Sequence, residues 1–236
     1  MHTCGAVIVA AGSGRRMKSD KNKVFLEIDG IPVLARTLMV FQHCEKIGGI
    51  VVVTRKGDIE QVENIKKKYN INKLYAVTVG GEERMQSVLN GLEALGSKYE
   101  YIAIHDGARC LVEESDIINC INDAEKYGAA ALGVPAKDSL KKTDESGFIE
   151  CAIDRKNAVN IQTPQVFKYL QIVSLHRRAA EKHIFVTDDT SLLTDCGEKV
   201  FVTAGSYDNI KITTKDDLDL ARLIIDRRKG VFTRKD

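Results

Sequence analysis

Short apolar runs rich in β-branched residues alternate with amphipathic stretches through the first half of the chain. The runs lie at residues 6–10, 50–54, 74–79, 101–105 and 129–134. Between them, residues 58–69, 83–95 and 115–127 place apolar side chains at the three-to-four-residue spacing of a helix with one buried face. Strands that alternate with such helices are typical of a parallel sheet with crossover connections. We therefore expect an α/β fold, a mostly parallel sheet with flanking helices.

The alternation stops at Pro135, which has no backbone N–H and tends to end a sheet ladder. Residues 136–163 predict a protruding β-hairpin arm, with strands at 139–143 and 148–153 around a polar turn. A hairpin with so little apolar surface packs on something else, and both a partner subunit and the parent domain are candidates.

The remaining elements complete what we expect to be a single domain over residues 1–236. Helices are predicted at 168–182, 187–196 and 215–228, and strands at 199–203 and 209–213. The second of these helices opens with Thr187-Asp188-Asp189-Thr190, whose short oxygen side chains can cap the first backbone amides.

Charge and cysteine content exclude several classes of protein. The 236 residues carry 35 Lys and Arg against 33 Asp and Glu, a balance that argues against a nucleic-acid-binding surface. The six cysteines include no C-x-x-C pair, which predicts reduced thiols and no zinc site. We find no signal-peptide pattern and no apolar run of the roughly 20 residues that span a bilayer. We expect a cytoplasmic protein without a membrane or nucleic-acid partner.

A glycine-containing loop follows the first predicted strand, at Ala10-Ala11-Gly12-Ser13-Gly14. Ligands of open α/β sheets bind at the carboxyl ends of strands, where glycines let backbone amides approach a phosphate. The loop is followed by cations that suit a triphosphate, namely Arg15, Arg16, Lys18, Lys21 and Lys23. Met17 stands where a dinucleotide-binding fingerprint needs glycine or alanine, and the Walker A lysine is missing. A plain glycine turn is the alternative interpretation.

The fourth predicted strand ends at His105-Asp106-Gly107-Ala108-Arg109. Mg²⁺ typically takes one or two carboxylates together with substrate phosphates and water, so Asp106 is a candidate metal ligand. A cap or turn aspartate is the alternative. Arg109 could bind a second anionic group.

Together these residues resemble the 2-C-methyl-D-erythritol 4-phosphate cytidylyltransferases of the non-mevalonate isoprenoid pathway, over most of the chain. The resemblance is carried by AAGSGRRM at 10–17, Lys23, GGEERMQSV at 80–88, HDGAR at 105–109, AKDSLK at 136–141, IDR at 153–155, QTPQ at 162–165, TDD at 187–189 and DNIKIT at 208–213. It implies a Rossmann-like fold and an enzyme that converts CTP and 2-C-methyl-D-erythritol 4-phosphate to CDP-methylerythritol and pyrophosphate by in-line attack on the α-phosphorus. It also implies Mg²⁺ or another hard divalent cation.

The resemblance also implies roles for individual residues. It gives Arg16, Lys23 and Lys211 catalytic roles on the triphosphate and the entering phosphate. The implied nucleotide-binding residues are Ala10, Ala11, Gly12, Gly14, Gly81, Glu82, Ser87 and Asp106. The implied substrate-binding residues are Arg109, Ser139, Arg155 and Lys211. Asp106 and, as a second candidate, Asp208 would hold the metal. The hairpin would be exchanged across a homodimer, which would place Arg155 in the neighbouring subunit's site.

The chain departs from the family pattern at several positions. Asn22 replaces a common proline before Lys23, which predicts a freer loop. Gly107 and Cys110 replace the usual alanine and proline, which predicts a looser turn around Arg109. Ser139 stands where threonine is frequent and keeps the hydroxyl group.

Other interpretations remain for the function and for single residues. A ribitol 5-phosphate cytidylyltransferase shares the fold and most motifs, and a non-catalytic nucleotide-binding module would use the same scaffold. Glu82, Glu83 and Arg84 are also consistent with ordinary charges in the first turn of a helix. Arg155 and Lys211 are likewise consistent with solvated charges. No arrangement of Ser, His or Cys indicates a covalent nucleophile.

Overall fold

The computed structural model describes residues 4–12, 22–184 and 186–230, and the helices and strands below lie within them. The strands are β1 (Cys4–Val9), β2 (Glu27–Ile28), β3 (Ile31–Pro32), β4 (Ile47–Thr54), β5 (Leu74–Val79), β6 (Tyr101–Asp106), β7 (Ala129–Pro135), β8 (Lys141–Thr143), β9 (Ile149–Ala152), β10 (Val159–Lys168) and β11 (Phe201–Ala204). The helices are α1 (Val33–His43), α2 (Ile59–Lys68), α3 (Arg84–Leu95), α4 (Glu114–Tyr127), α5 (Tyr169–Glu181), α6 (Asp189–Thr194) and α7 (Lys215–Arg228).

A mostly parallel sheet lies at the centre. Of the strands described, seven form it in the order β11-β7-β10-β6-β1-β4-β5. β1 runs parallel to β4 and β6, β4 to β5, and β7 to β11. β10 is antiparallel to both of its neighbours, β6 and β7. The predicted α/β class with a mostly parallel sheet is confirmed.

The sheet is buried on both faces by helices. Along β4, Ile50 and Val52 join one apolar cluster with α1, α2, α4 and α7, whereas Val51 and Val53 join a second cluster with α3, α5 and α6. A strand buried on both faces is a continuous apolar run, which explains why the sequence revealed it clearly. No helix among the described residues is both long enough and apolar enough to cross a membrane.

Helix α3 packs directly on the sheet. A Cβ atom at Gly91 would overlap the side chains of Val7 on β1 and Val53 on β4, so glycine allows the close approach. The first turn of α3, which carries Arg84 and Ser87, therefore lies near the edge where β1 and β4 end.

Three parts of the fold differ from what the sequence predicted. β10 was not predicted, because the polar residues 162–165 with Pro164 interrupt its apolar pattern. The strand predicted at 209–213 is irregular: the backbone N–H of Ile212 donates to Ala108 O at 2.9 Å, in the turn after β6. Residues 27–43, for which no element was predicted, form β2, β3 and α1.

The predicted arm is present but shorter than expected. Residues 159–163 belong to β10, so the protruding hairpin comprises residues 137–158, with β8 and β9 as its strands. Its turn is closed by Asp144, whose carboxylate accepts from the backbone N–H groups of Ser146 and Phe148. The side chains of Phe148 and Ile149 are 72% and 66% exposed. Dimerisation through this hairpin stays a prediction.

Candidate active site

A cavity of about 430 Å³ opens at the carboxyl ends of β1 and β6, where an open α/β sheet binds its ligands. Its described lining residues are Val9, Ala10, Ala11, Gly12, Asn22, Lys23, Val24, Gly81, Glu82, Glu83, Arg84, Ser87, Asp106, Ala108, Lys211 and Thr213. The structure thus brings together most of the residues predicted to bind the nucleotide with both of the predicted catalytic lysines. Gly14 and Arg16 lie outside the described residues.

Asp106 stands among cations at this edge of the sheet. Its carboxylate lies 2.6 Å from Lys211 Nζ, 3.7 Å from Arg84 Nε and 3.8 Å from Arg109 Nε. Burial alone would raise the pKa of Asp106, but the charges of Lys211, Arg84 and Arg109 hold that pKa far below its ordinary value. Asp106 is therefore ionised throughout the neutral pH range.

The backbone of Asp106 is fixed by a buried chain of hydrogen bonds. Its N–H donates to Thr163 Oγ1 at 3.1 Å, and this hydroxyl lies 3.1 Å from His105 Nδ1. The Nε2 of His105 lies 3.1 Å from the backbone oxygen of Arg109. Burial lowers the pKa of His105 to about 4, so the ring is neutral near pH 7. His105 therefore has a structural role and does not line the cavity.

Lys211 is carried by an irregular segment that is anchored beneath it. Asn209 is fully buried, and its Nδ2 donates to Gln162 Oε1 at 3.2 Å and to Thr163 O at 3.0 Å. Arg109 Nη1 donates to the backbone oxygen of Asn209 at 2.7 Å. The motif at 162–165 thus connects the turn after β6 to the segment that presents Lys211.

The opposite wall consists largely of backbone groups and small side chains. The Oγ of Ser87 accepts from the Gly81 N–H at 3.1 Å and donates to Glu83 O at 3.0 Å. Ser87 is only 3% exposed, so its hydroxyl is not a solvated group on the helix surface. Glu82 lines the same wall, and its N–H donates to Gln86 Oε1 at 3.3 Å.

Arg84 is a residue of the cavity wall that sequence reasoning left among ordinary helix charges. Its Nη2 donates to Asp189 Oδ2 at 2.7 Å, and Asp189 is fully buried. The other carboxylate oxygen of Asp189 lies 3.2 Å from His176 Nε2. Burial alone would lower the pKa of Arg84, but the negative charge of Asp189 raises that pKa above its ordinary value. The partners are 105 residues apart in sequence, so no local pattern links them.

Two segments predicted to be loose are held by hydrogen bonds where the structure describes them. The rest of the loop before Lys23, residues 13–21, lies outside the described residues. Asn22 is 2% exposed and forms hydrogen bonds to three other residues, so residues 22–25 are not freed by it. The turn after β6 is likewise held, because Gly107 N–H donates to Val9 O at 2.9 Å and Gly107 O accepts from Thr37 Oγ1 at 3.0 Å. Cys110 is buried beside it.

Four predicted site residues do not line the cavity. Arg109 lies next to the wall, with its Nε 3.8 Å from the Asp106 carboxylate. Ser139 and Arg155 are exposed on the hairpin, where Arg155 Nη1 donates to Lys137 O at 3.0 Å. Asp208 pairs with Arg227 and lies 3.8 Å from Arg228 Nη2. Asp106 lines the cavity, and Asp208 does not.

Comparisons with known proteins show which family the chain resembles. Residues 4–227 match the family model described as IspD: 2-C-methyl-D-erythritol 4-phosphate cytidylyltransferase. The chain is 46% identical over 221 residues to the enzyme of that name from Clostridium acetobutylicum, covering 93% of this chain and 96% of that protein. It is also 46% identical over 221 residues to the namesake from Caldanaerobacter subterraneus subsp. tengcongensis, covering 93% of this chain and 97% of that protein.

A solved structure supports the same assignment. The crystal structure of 4-diphosphocytidyl-2C-methyl-D-erythritol synthase from Anaerococcus prevotii superposes with a TM-score of 0.85 at 33% identity, covering 95% of this chain and 96% of that one. The resemblance noted from the motifs is confirmed. The chain belongs to the 2-C-methyl-D-erythritol 4-phosphate cytidylyltransferase family of nucleotidyltransferases.

Proposed function

We propose that this chain transfers the cytidylyl group of CTP to 2-C-methyl-D-erythritol 4-phosphate and releases pyrophosphate, using the cavity at β1 and β6. The observation that carries the assignment of the site is the ionised Asp106 among Lys211, Arg84 and Arg109, opposite the backbone wall at residues 10–12 and 81–82. Cations around one carboxylate suit phosphate groups that share a divalent metal.

The chemistry follows from positioning and charge. An oxygen of the methylerythritol phosphate forms a bond to the α-phosphorus of CTP while the bond from that phosphorus to the pyrophosphate oxygen breaks. The bonding pair leaves with pyrophosphate, so no proton has to move. Phosphate oxygens are nucleophilic near neutral pH and need no general base. Lys23 and Lys211 would stabilise the charge that develops on the phosphate oxygens, with Arg16 added from outside the described residues.

The nucleotide would bind along the wall of backbone groups. Ala10, Ala11 and Gly12 continue β1 into the cavity, and Gly81 and Glu82 face them from the segment before α3. Small side chains leave room for a pyrimidine, and backbone N–H and C=O groups can distinguish its edges. Ser87 holds the Gly81 segment in place. Gly14, outside the described residues, is kept as a nucleotide-binding residue on the family pattern alone.

Asp106 is the residue that we propose for holding the divalent metal. Among the described residues there is no group of three or more potential His, Cys, Asp or Glu ligands, so phosphate and water would supply the rest. Such a shell fits Mg²⁺, which takes few carboxylates and keeps waters. When bound, the ion would neutralise charge on the phosphate oxygens. Asp208, paired with Arg227, is left out of this proposal.

The polyol phosphate would be bound by Arg109 together with hairpin residues of a second copy. Ser139 and Arg155 are exposed on the hairpin, and Phe148 and Ile149 leave apolar surface uncovered beside them. A homodimer that exchanges hairpins would bury this surface and complete each site.

The direct test is pyrophosphate release from CTP with methylerythritol phosphate and Mg²⁺, run beside ribitol 5-phosphate and beside CTP with no polyol. We expect release with methylerythritol phosphate, little with ribitol phosphate and none without a polyol. A preference for ribitol phosphate would overturn the substrate assignment. Tight CTP binding without pyrophosphate release in the presence of either polyol phosphate would favour the non-catalytic module.

A further inference from the structure

Asn22 is a buried polar residue between the end of β1 and the turn that carries Lys23. Its Nδ2 donates to the backbone oxygen of Ala10 at 2.9 Å and to Asp58 Oδ2 at 3.0 Å, and its Oδ1 accepts from Val24 N–H at 3.4 Å. The residue is 2% exposed and lines the cavity.

These contacts use both N–H groups and the oxygen of the side-chain amide. Two of the partners belong to fixed parts of the fold. The Ala10 N–H donates to Val53 O on β4 at 2.7 Å. Asp58 precedes α2 and accepts from Arg55 Nε at 2.7 Å. The side-chain amide of Asn22 therefore connects three parts of the chain: the end of β1, the start of α2 and the turn at residues 23–25.

The turn that Asn22 caps contains Lys23 as its first residue. Residues 23–25 form one turn of 3₁₀ helix, in which Phe25 N–H donates to Asn22 O at 3.0 Å and Leu26 N–H to Lys23 O at 3.2 Å. Val24 is buried in the core. The backbone of Lys23 is thus held on both sides, and Asn22 sets where its side chain starts.

We infer that Asn22 is a positioning residue for Lys23: its side-chain amide locks the Lys23 backbone to the end of β1, so that the ammonium group meets the transferred phosphate. The inference rests on the proposed role of Lys23. The φ angle of Asn22 is −63°, the value that a proline ring imposes. Proline at this position would keep the backbone angle and lose the hydrogen bonds, which separates the two contributions.

The test compares Asn22→Ala, Asn22→Pro, Lys23→Ala and the Asn22→Ala/Lys23→Ala double variant. We expect Asn22→Ala to lower kcat about tenfold, the size of losing one or two net hydrogen bonds, with a smaller change in KM. Asn22→Pro should recover part of this loss. In the Lys23→Ala background, Asn22→Ala should have no further effect, because a residue that acts through Lys23 is not additive with it.

Asn90→Ala is the matched control, since Asn90 Nδ2 also donates to a strand-end carbonyl, Val79 O at 2.9 Å, but does not line the cavity. It should leave kcat unchanged. Asp58→Ala removes one anchor from outside the cavity and should lower kcat less than Asn22→Ala does, which keeps the test valid if Asn22→Ala folds poorly. If Asn22→Ala and Asp58→Ala keep full kcat while Lys23→Ala loses it, the inference fails. If Lys23→Ala itself keeps kcat, the proposed role of Lys23 fails instead.

Discussion

The cavity and the hairpin are two polar regions that differ in burial and in where their polar side chains find hydrogen-bond partners. Around the cavity, Asn22, Asp189 and Asn209 are at most 2% exposed and are bonded to other elements of the chain. In the hairpin, Asp144 and Asp154 bond within their own turns, and nearly all side chains are exposed.

The difference shows which half of the site one chain can build alone. Polar groups that are cross-linked and buried are preorganised, so the cavity needs no partner to hold its shape. The hairpin residues proposed for the polyol phosphate have no such support within one chain. The following predictions test this contrast, from the largest expected effect to the smallest.

Breaking a buried ion pair behind the cavity should destabilise the fold far more than breaking one on the hairpin. We expect Asp189→Ala to lower the free energy of unfolding by about 3–5 kcal/mol, because Arg84 loses its close buried partner. Glu150→Ala removes the exposed pair with Lys142 on the hairpin and should change it by less than about 1 kcal/mol. Urea unfolding measures both, and equal effects would contradict the contrast.

Removing a cation from the cavity should slow turnover strongly without unfolding the protein. Lys211→Ala should lower kcat about 10²–10³-fold, comparable to losing one preorganised donor to a developing negative charge. Lys67→Ala, an exposed lysine on α2, is the matched control and should keep normal turnover. Near-normal kcat in Lys211→Ala would remove this residue from the mechanism.

The hairpin residue Arg155 should act on the neighbouring copy. Arg155→Ala should reduce kcat/KM for the polyol phosphate about ten- to a hundredfold, the range for a charged hydrogen bond. Mixing Arg155→Ala with Lys211→Ala subunits, after exchange, should restore about a quarter of wild-type activity, since half the dimers have one intact site. A mixture no more active than its parents would show that the hairpin is not exchanged.

Acid should weaken the cavity side of the fold through His105. The pKa of His105 is lowered from 6.5 to about 4 in the folded protein. Between pH 4 and pH 6.5 the unfolded chain therefore binds a proton at His105 that the folded protein does not bind. Stability is therefore full above pH 6.5 and is lost as the pH falls towards 4. Between pH 7 and 5.5 the loss should be about 1 kcal/mol. In metal-free buffer, His105→Gln should lack this slope, and an identical slope would assign it to another group.

How much could be predicted from sequence depended on whether a residue's partner was local. α7 was predicted with its observed bounds, because its apolar spacing and its capping residue Thr214 lie in the same stretch. The ends of β1 and β6 marked the cavity because strand ends are local signals. β10 and the pair of Arg84 with Asp189 were missed, since polar groups there are satisfied by residues far away in the sequence.

Asn22 is a second residue whose role depends on partners that are distant in sequence. In sequence it is a residue that can loosen a loop, and only the positions of Ala10 and Asp58 turn it into a buried link. The hairpin was predictable as a shape, from its turn and its polar strands. A surface that packs against the hairpin could not be predicted, because it would lie outside the hairpin's own sequence.

β10 joins the hairpin to the cavity. It starts where the hairpin ends, and its Thr163 accepts the hydrogen bond from the backbone N–H of Asp106. Given the proposed exchange, each subunit would place one end of this strand beside its own site and the other end beside its neighbour's. Specific activity would then depend on enzyme concentration, falling on dilution below the dissociation constant of the dimer.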